Sequence, residues 1–146
     1  MLLGGYALAT AQHGWIDPKS QFMSYDQTMA MLEVYCTNVH PLTKIIHMPT
    51  FKQKLEATLA DPSASSRKND ALMFCMMFCA ANTMTGQECQ ETMYMDRDTL
   101  LDVLQDPASR ALVAADILRS DDIEVLQAFT LYLVRPLTLP QRQPTL

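Results

Sequence analysis

Eleven consecutive residues, Ala71 to Ala81 (Ala-Leu-Met-Phe-Cys-Met-Met-Phe-Cys-Ala-Ala), carry no charged, amide or hydroxyl side chain. A helix over this run is apolar on every face, so it has to be buried on every face. The run is far short of the roughly 20 residues needed to cross a bilayer, so its cover has to be protein. A second segment, Ile123 to Val134, is again apolar nearly all round through Leu126, Phe129, Leu131, Tyr132, Leu133 and Val134. Two such helices predict an all-α fold.

The remaining segments agree with that class. Eleven Met and only four Gly favour helices over turn-rich sheets. No segment shows the two-residue alternation of a half-buried strand. Ser24 followed by Gln27 reads as a capping box that opens a helix with Met29, Leu32, Cys36 and Val39 on one face. Pro41 is expected to stop that helix. Residues 38–50 then read as a loop bracketed by Pro41 and Pro49, with Ile45 and Ile46 in its middle. Pro49 suits the first turn of the next helix, which carries Phe51, Leu55 and Leu59 and ends near Asp61-Pro62.

Residues 61–68 read as a polar exposed loop, the best candidate for nicking or modification. Asn69 is placed to cap the helix over the apolar run and Gly86 to end it. A helix over 99–105 is expected to break at Pro107. Ala108, Ala111, Leu112, Ala115 and Leu118 resume the spacing, and Asp121 with Glu124 marks one more start. The reading is an irregular multi-helix bundle of about five to six helices. It divides into an irregular lead-in over 1–23, a helical region over 24–134 and a proline-rich disordered tail over 135–146. Two helices that demand cover, and about four to supply it, predict the N-terminal part of a larger helical domain or a partner in an assembly.

Charge and cysteines exclude several classes of function. Eleven Lys plus Arg against sixteen Asp plus Glu give a net charge of −5, with no basic stripe, so direct nucleic-acid contact is not expected. Met1 to Ala11 has no cation ahead of its apolar stretch, and Gly4 and Gly5 interrupt it; a cleaved secretory signal is not expected. The four cysteines, Cys36, Cys75, Cys79 and Cys89, suit reduced thiols in an intracellular protein.

No motif names a reaction. Cys75 and Cys79 share a helix face but lack a second pair of ligands at suitable spacing, so no metal site is expected. His40 and His47, with Cys36 or Asp26, form a conceivable catalytic set that no spacing requires; His13 stands alone. Asp98, Asp102 and Asp106 recur at four-residue steps, as on a solvated helix face. The methionines read as core filler rather than as an adaptable binding surface. No catalytic, cofactor-binding or metal-binding residue is assigned.

One local pattern is specific. The segment Asn38-Val39-His40-Pro41-Leu42-Thr43-Lys44-Ile45-Ile46-His47-Met48-Pro49-Thr50, preceded by Met31 to Cys36, closely resembles a stretch near the start of the fungal-specific transcription factor domain. Ala114 to Leu118 and Leu126 to Leu133 resemble later parts of it in the right order, so the likeness runs from about Leu2 to Val134. That domain is the helical regulatory region of zinc binuclear-cluster transcription factors.

The resemblance implies a nuclear transcription regulator that works through helix packing and protein contact. Its partners would be a second copy or full-length zinc-cluster regulators, with no membrane role. The family's six-cysteine DNA-binding motif has no counterpart here, so its zinc cluster would lie outside this chain and no cofactor is expected within it. In the motif loop Asn38, Pro41, Leu42, Thr43, Ile45, Ile46, His47, Pro49 and Thr50 would act structurally: the prolines set the chain direction and the two isoleucines plug the core. The alternatives are a free-standing interaction module, a non-functional truncated remnant, or a small helical enzyme or ligand carrier using His40, His47 or Cys36.

Overall fold

The computed structural model describes residues 24–61 and 66–133. The expected lead-in with His13, the tip of the polar loop and the proline-rich tail lie outside these residues. Among the described residues there are seven helices and no strand: α1 (Tyr25–Asn38), α2 (His40–Thr43), α3 (Met48–Ala60), α4 (Arg67–Asn82), α5 (Gly86–Met93), α6 (Arg97–Ala114) and α7 (Ile123–Leu133). The all-α class is as expected.

α4 is the axis of the molecule. Every residue from Ala71 to Asn82 is buried. α1, α3, α6 and α7 pack around it, α6 and α7 most extensively. Its C-terminal end is closed by side chains. Arg97 donates from Nη2 to the Asn82 carbonyl and from Nε to the Met84 carbonyl, both at 2.9 Å. Asn82 Nδ2 donates to the Phe78 carbonyl at 3.0 Å. A guanidinium at this end satisfies carbonyls the helix leaves open and complements its dipole.

The Ser24–Gln27 capping box forms as the sequence predicts, with the Gln27 N–H donating to Ser24 Oγ at 3.1 Å. The buried face of α1 is turned from the expected one. Thr28, Met31, Leu32, Tyr35 and Val39 are inside, while Met29 and Cys36 lie at the edge. On α3, Phe51 and Leu55 are buried as expected, with Thr58 beside them.

Several predicted boundaries move, each for an identifiable reason. Ser66, not Asn69, caps α4: Ser66 Oγ accepts from the Asn69 N–H at 3.1 Å. Asn69 Nδ2 instead donates to Thr58 Oγ1 at 3.0 Å. Gly86 does not end α4; it opens α5 behind a Thr85–Glu88 capping box, and a Cβ there would meet nothing within 4 Å. Pro107 does not break the helix. α6 runs through it because Leu100, Leu104, Pro107, Ala108 and Ala111 form one buried stripe against the core. That burial outweighs the hydrogen bond a helical proline removes.

α6 then stops at Ala114, before Leu118. Asp116 takes a left-handed conformation, φ 60°, and donates to the Val113 carbonyl at 2.9 Å, while Ile117 donates to the Leu112 carbonyl at 3.2 Å. The paired bonds form a Schellman closure in which Asp supplies the left-handed residue. The largest departure is α7. It buries Val125, Ala128 and Leu131 only, and leaves Ile123, Leu126, Phe129 and Leu133 between 38% and 66% exposed.

Phe74 is fully buried at the centre of α4. Phe74→Ala is expected to cost about 3–5 kcal/mol of stability by opening a cavity, read as the loss in urea-unfolding free energy.

Candidate functional site

The motif segment 38–50 is not a plain loop. α1 ends at Asn38 and the chain turns once more into the four-residue α2, with Pro41 in its first turn, where no N–H is required. Lys44 closes that turn in the left-handed region, φ 46°, and donates to the His40 carbonyl at 2.9 Å. After three residues α3 begins, with Pro49 in its own first turn and His47 as its N-cap residue.

The structure places the motif side chains in two sets. Ile46 is buried in the common core at 3% exposure, and Ile45 and Thr43 are half-buried. Pro41, Leu42, His47, Pro49 and Thr50 are exposed, Leu42 at 80%. Of the two isoleucines expected to plug the core, Ile46 is buried and Ile45 is half-buried. His47 Nδ1 lies 2.8 Å from Thr50 Oγ1. Thr43 Oγ1 donates to the Val39 carbonyl at 3.2 Å, and Asn38 Nδ2 to Thr83 Oγ1 at 2.9 Å, tying the end of α1 to the end of α4.

What the segment holds is α7. Gln127 Nε2 donates to the Ile45 carbonyl at 2.7 Å. Lys54 on α3 pairs with Glu124, and Lys68 on α4 pairs with Asp122 at 2.9 Å. Asp122 Oδ1 also accepts from the Glu124 N–H at 2.9 Å, so Asp122, rather than the predicted Asp121, caps α7. Three elements thus grip the first half of one helix. The sequence reading missed these contacts, because Gln127 and Ile45 stand 82 positions apart and no local spacing joins them.

Of the conceivable catalytic set, Cys36 and His40 both neighbour the buried Tyr35. Asp26 and Cys36 lie on the same helix ten positions apart, about 15 Å along its axis. His47 is exposed at the start of α3, and His40 stacks at 6.2 Å, tilted, beside the buried Tyr35 ring. A groove of about 290 Å³ between α1 and α5 is lined by Glu33, Val34, Asn38, Met84, Glu88 and Thr92 among others, and holds none of His40, His47 or Cys36.

All four cysteines are free thiols. Burial pushes Cys79 up to about 12 and Cys89 up to about 11, and raises Cys75 as well, which disfavours the thiolate at all three. Asp98, Asp102 and Asp106 line the exposed side of α6, where Asp106 pairs with Arg110 at 3.0 Å. Among the described residues no three His, Cys, Asp or Glu side chains are placed to share a metal ion, and no helix is long and apolar enough to cross a membrane.

Two expected outcomes test the segment and its grip on α7. Ile46→Asp should cost about 3 kcal/mol or more, because it buries an unpaired charge. Leu42→Asp should stay within about 0.5 kcal/mol of the wild type and Pro41→Ala within about 1 kcal/mol, all read from chemical denaturation.

The second concerns pH. The hydrogen bond from Lys68, followed by that from the Glu124 N–H, holds the Asp122 carboxyl below its ordinary 3.8, and the same bond raises Lys68 above its ordinary 10.5. A depressed carboxyl adds stability that is present above 3.8 and lost as pH falls through the folded value. The raised lysine adds stability below 10.5 and loses it as pH rises through its own folded value. Asp122→Asn keeps a capping side chain but removes the charge. Its unfolding midpoint should fall below wild type at neutral pH, with the gap closing in acid below 3.8; a gap independent of pH would discount the ion pair.

Comparison with known proteins finds relatives of the sequence. The profile of the fungal specific transcription factor domain matches residues 32–143, reaching nine residues beyond Val134. The aurofusarin cluster transcription factor aurR2 of Gibberella zeae is 36% identical over 78% of the chain, and transcription factor vrtR2 of Penicillium aethiopicum 34% identical over 75%. The transcriptional regulator AacuB of Aspergillus aculeatus is 30% identical over 87%. The chain spans only 17%, 13% and 18% of the lengths of these three proteins. No solved structure matches it.

Proposed function

Because this chain belongs to the fungal specific transcription factor domain family, we propose that it serves transcription regulation as one part of a zinc-cluster factor's regulatory region. The single observation that carries this reading is the extent of the match. Residues 32–143 include nearly all of the core-forming helices, so the likeness covers the folded unit rather than a short motif. The relatives, named as transcription factors and regulators from several fungi, point the same way.

The mode of action is contact with protein and not chemistry. The exposed apolar side of α7 offers a surface for it, and the groove between α1 and α5 is lined by none of His40, His47 or Cys36. The site of action is the nucleus. DNA contact and the zinc cluster belong to another part of the longer factor, and this chain takes no cofactor of its own. The motif residues Asn38, Thr43, Ile45 and Ile46 act by holding α1, α4 and α7 in register.

The test is a reporter assay in a fungal host, with the chain fused to an unrelated DNA-binding domain. The fusion should change reporter output several-fold relative to the DNA-binding domain alone, in either direction, and Ile46→Asp should abolish the change. Output equal to that of the DNA-binding domain alone, from a fusion shown to accumulate in the nucleus, would overturn the reading.

A further inference from the structure

α1 and α5 leave a groove of about 290 Å³ between them. Ala30, Glu33, Val34 and Thr37 stand at helical spacing along one face of α1, and Glu88 and Thr92 stand about one turn apart on α5. From Ala30 to Asn38 the α1 wall is about 12 Å long. The lining has two characters. Met84 is buried and Ala30 and Val34 are half-buried, so the depth of the groove is apolar. Glu33, Thr37, Asn38 and Glu88 are exposed, so its rim is polar and acidic.

We propose that this groove receives an arginine side chain of a protein partner, with its aliphatic stem against Ala30, Val34 and Met84 and its guanidinium on the Glu33 and Glu88 carboxylates. The inference rests on the groove alone and stands apart from the regulatory reading above. An apolar depth under an acidic rim is the complement of a side chain with an apolar stem and a cationic head. Arginine suits it better than lysine. Its planar fork can donate to two carboxylates at once, and it is less strongly hydrated than an ammonium.

The carboxylates are available for this. α1 and α5 carry Asp26, Glu33, Glu88 and Glu91 and no lysine or arginine. Among the described residues Glu33 forms no ion pair. Glu88 Oε1 accepts from the Thr85 N–H at 2.9 Å in the capping box, which leaves its second oxygen to a donor. Arg97 does not line the groove; its guanidinium donates to the Asn82 and Met84 carbonyls. The exposed rim selects a polypeptide over a free small cation. A small cation would stay largely hydrated there, whereas a partner chain adds contacts along the α1 wall.

Amide chemical shifts of the isotope-labelled full chain, followed as a short alanine–glutamine peptide carrying two arginines is added, test this. Shifts should move within residues 30–38 and 84–92. The same peptide with citrulline, the neutral counterpart of arginine, should bind about tenfold more weakly or worse. Glu33→Gln and Glu88→Gln should each weaken the arginine peptide by about fivefold, and both together by about tenfold or more. Glu88→Gln keeps the capping box, which accepts either side chain at that position, so the helix is retained. Asp102→Asn makes an equal change of charge on the exposed side of α6 and should stay within about twofold of wild type. An equal loss from Asp102→Asn and Glu33→Gln, shifts confined to other parts of the chain, or no binding of the arginine peptide would overturn the proposal. So would free arginine amide binding as tightly as the peptide, which would make the occupant a small cation.

Discussion

A helix with apolar side chains on every face has no side on which water is tolerated. α4 is such a helix from Ala71 to Ala81, and the positions of its neighbours follow from its need for cover. α1 lies against one side, α6 and α7 against others, and α3 closes part of the remainder. Even the passage of α6 through Pro107 follows from this need: a kink or break there would take Ala108 and Ala111 away from the surface they cover.

Among the described residues, a small set of polar contacts joins elements distant in sequence. Arg97 closes the end of α4, and Asn38 ties α1 to the turn beyond it through Thr83. Lys54, Lys68 and the Ile45 carbonyl fix the start of α7. Each pair lies at or near the surface, so each adds modest stability by itself. Their joint effect is directional. Hydrophobic burial has no preferred orientation about a helix axis, whereas three polar anchors on one half-helix set which side of α7 faces outward.

Much of the helical reading was legible because it rests on local chemistry. The α1 capping box, the apolar run of α4 and the Phe51–Leu55 stripe of α3 are set by residues three or four positions apart. The missed elements were short ones with weak periodicity. α2 has four residues, and α5 has only Cys89 and Met93 buried, though its Thr85–Glu88 capping box was a usable signal. The shifted face of α1 has a different origin: Thr28 and Tyr35 are amphipathic, and only the packing decides whether such a side chain counts as core.

The sequence by itself determined the fold class, the central place of the Ala71–Ala81 helix and the resemblance that the family match bears out. In the motif segment it marked the residues but not their division into a buried Ile46 and an exposed Leu42. Only the tertiary structure decided that division, the anchoring of α7 and which apolar helix would be fully covered. Periodicity reports the demand for burial along one helix, but supply depends on contacts with other helices elsewhere in the chain. α4 lies where such contacts surround it, and α7 lies at the edge with one side met and the other open.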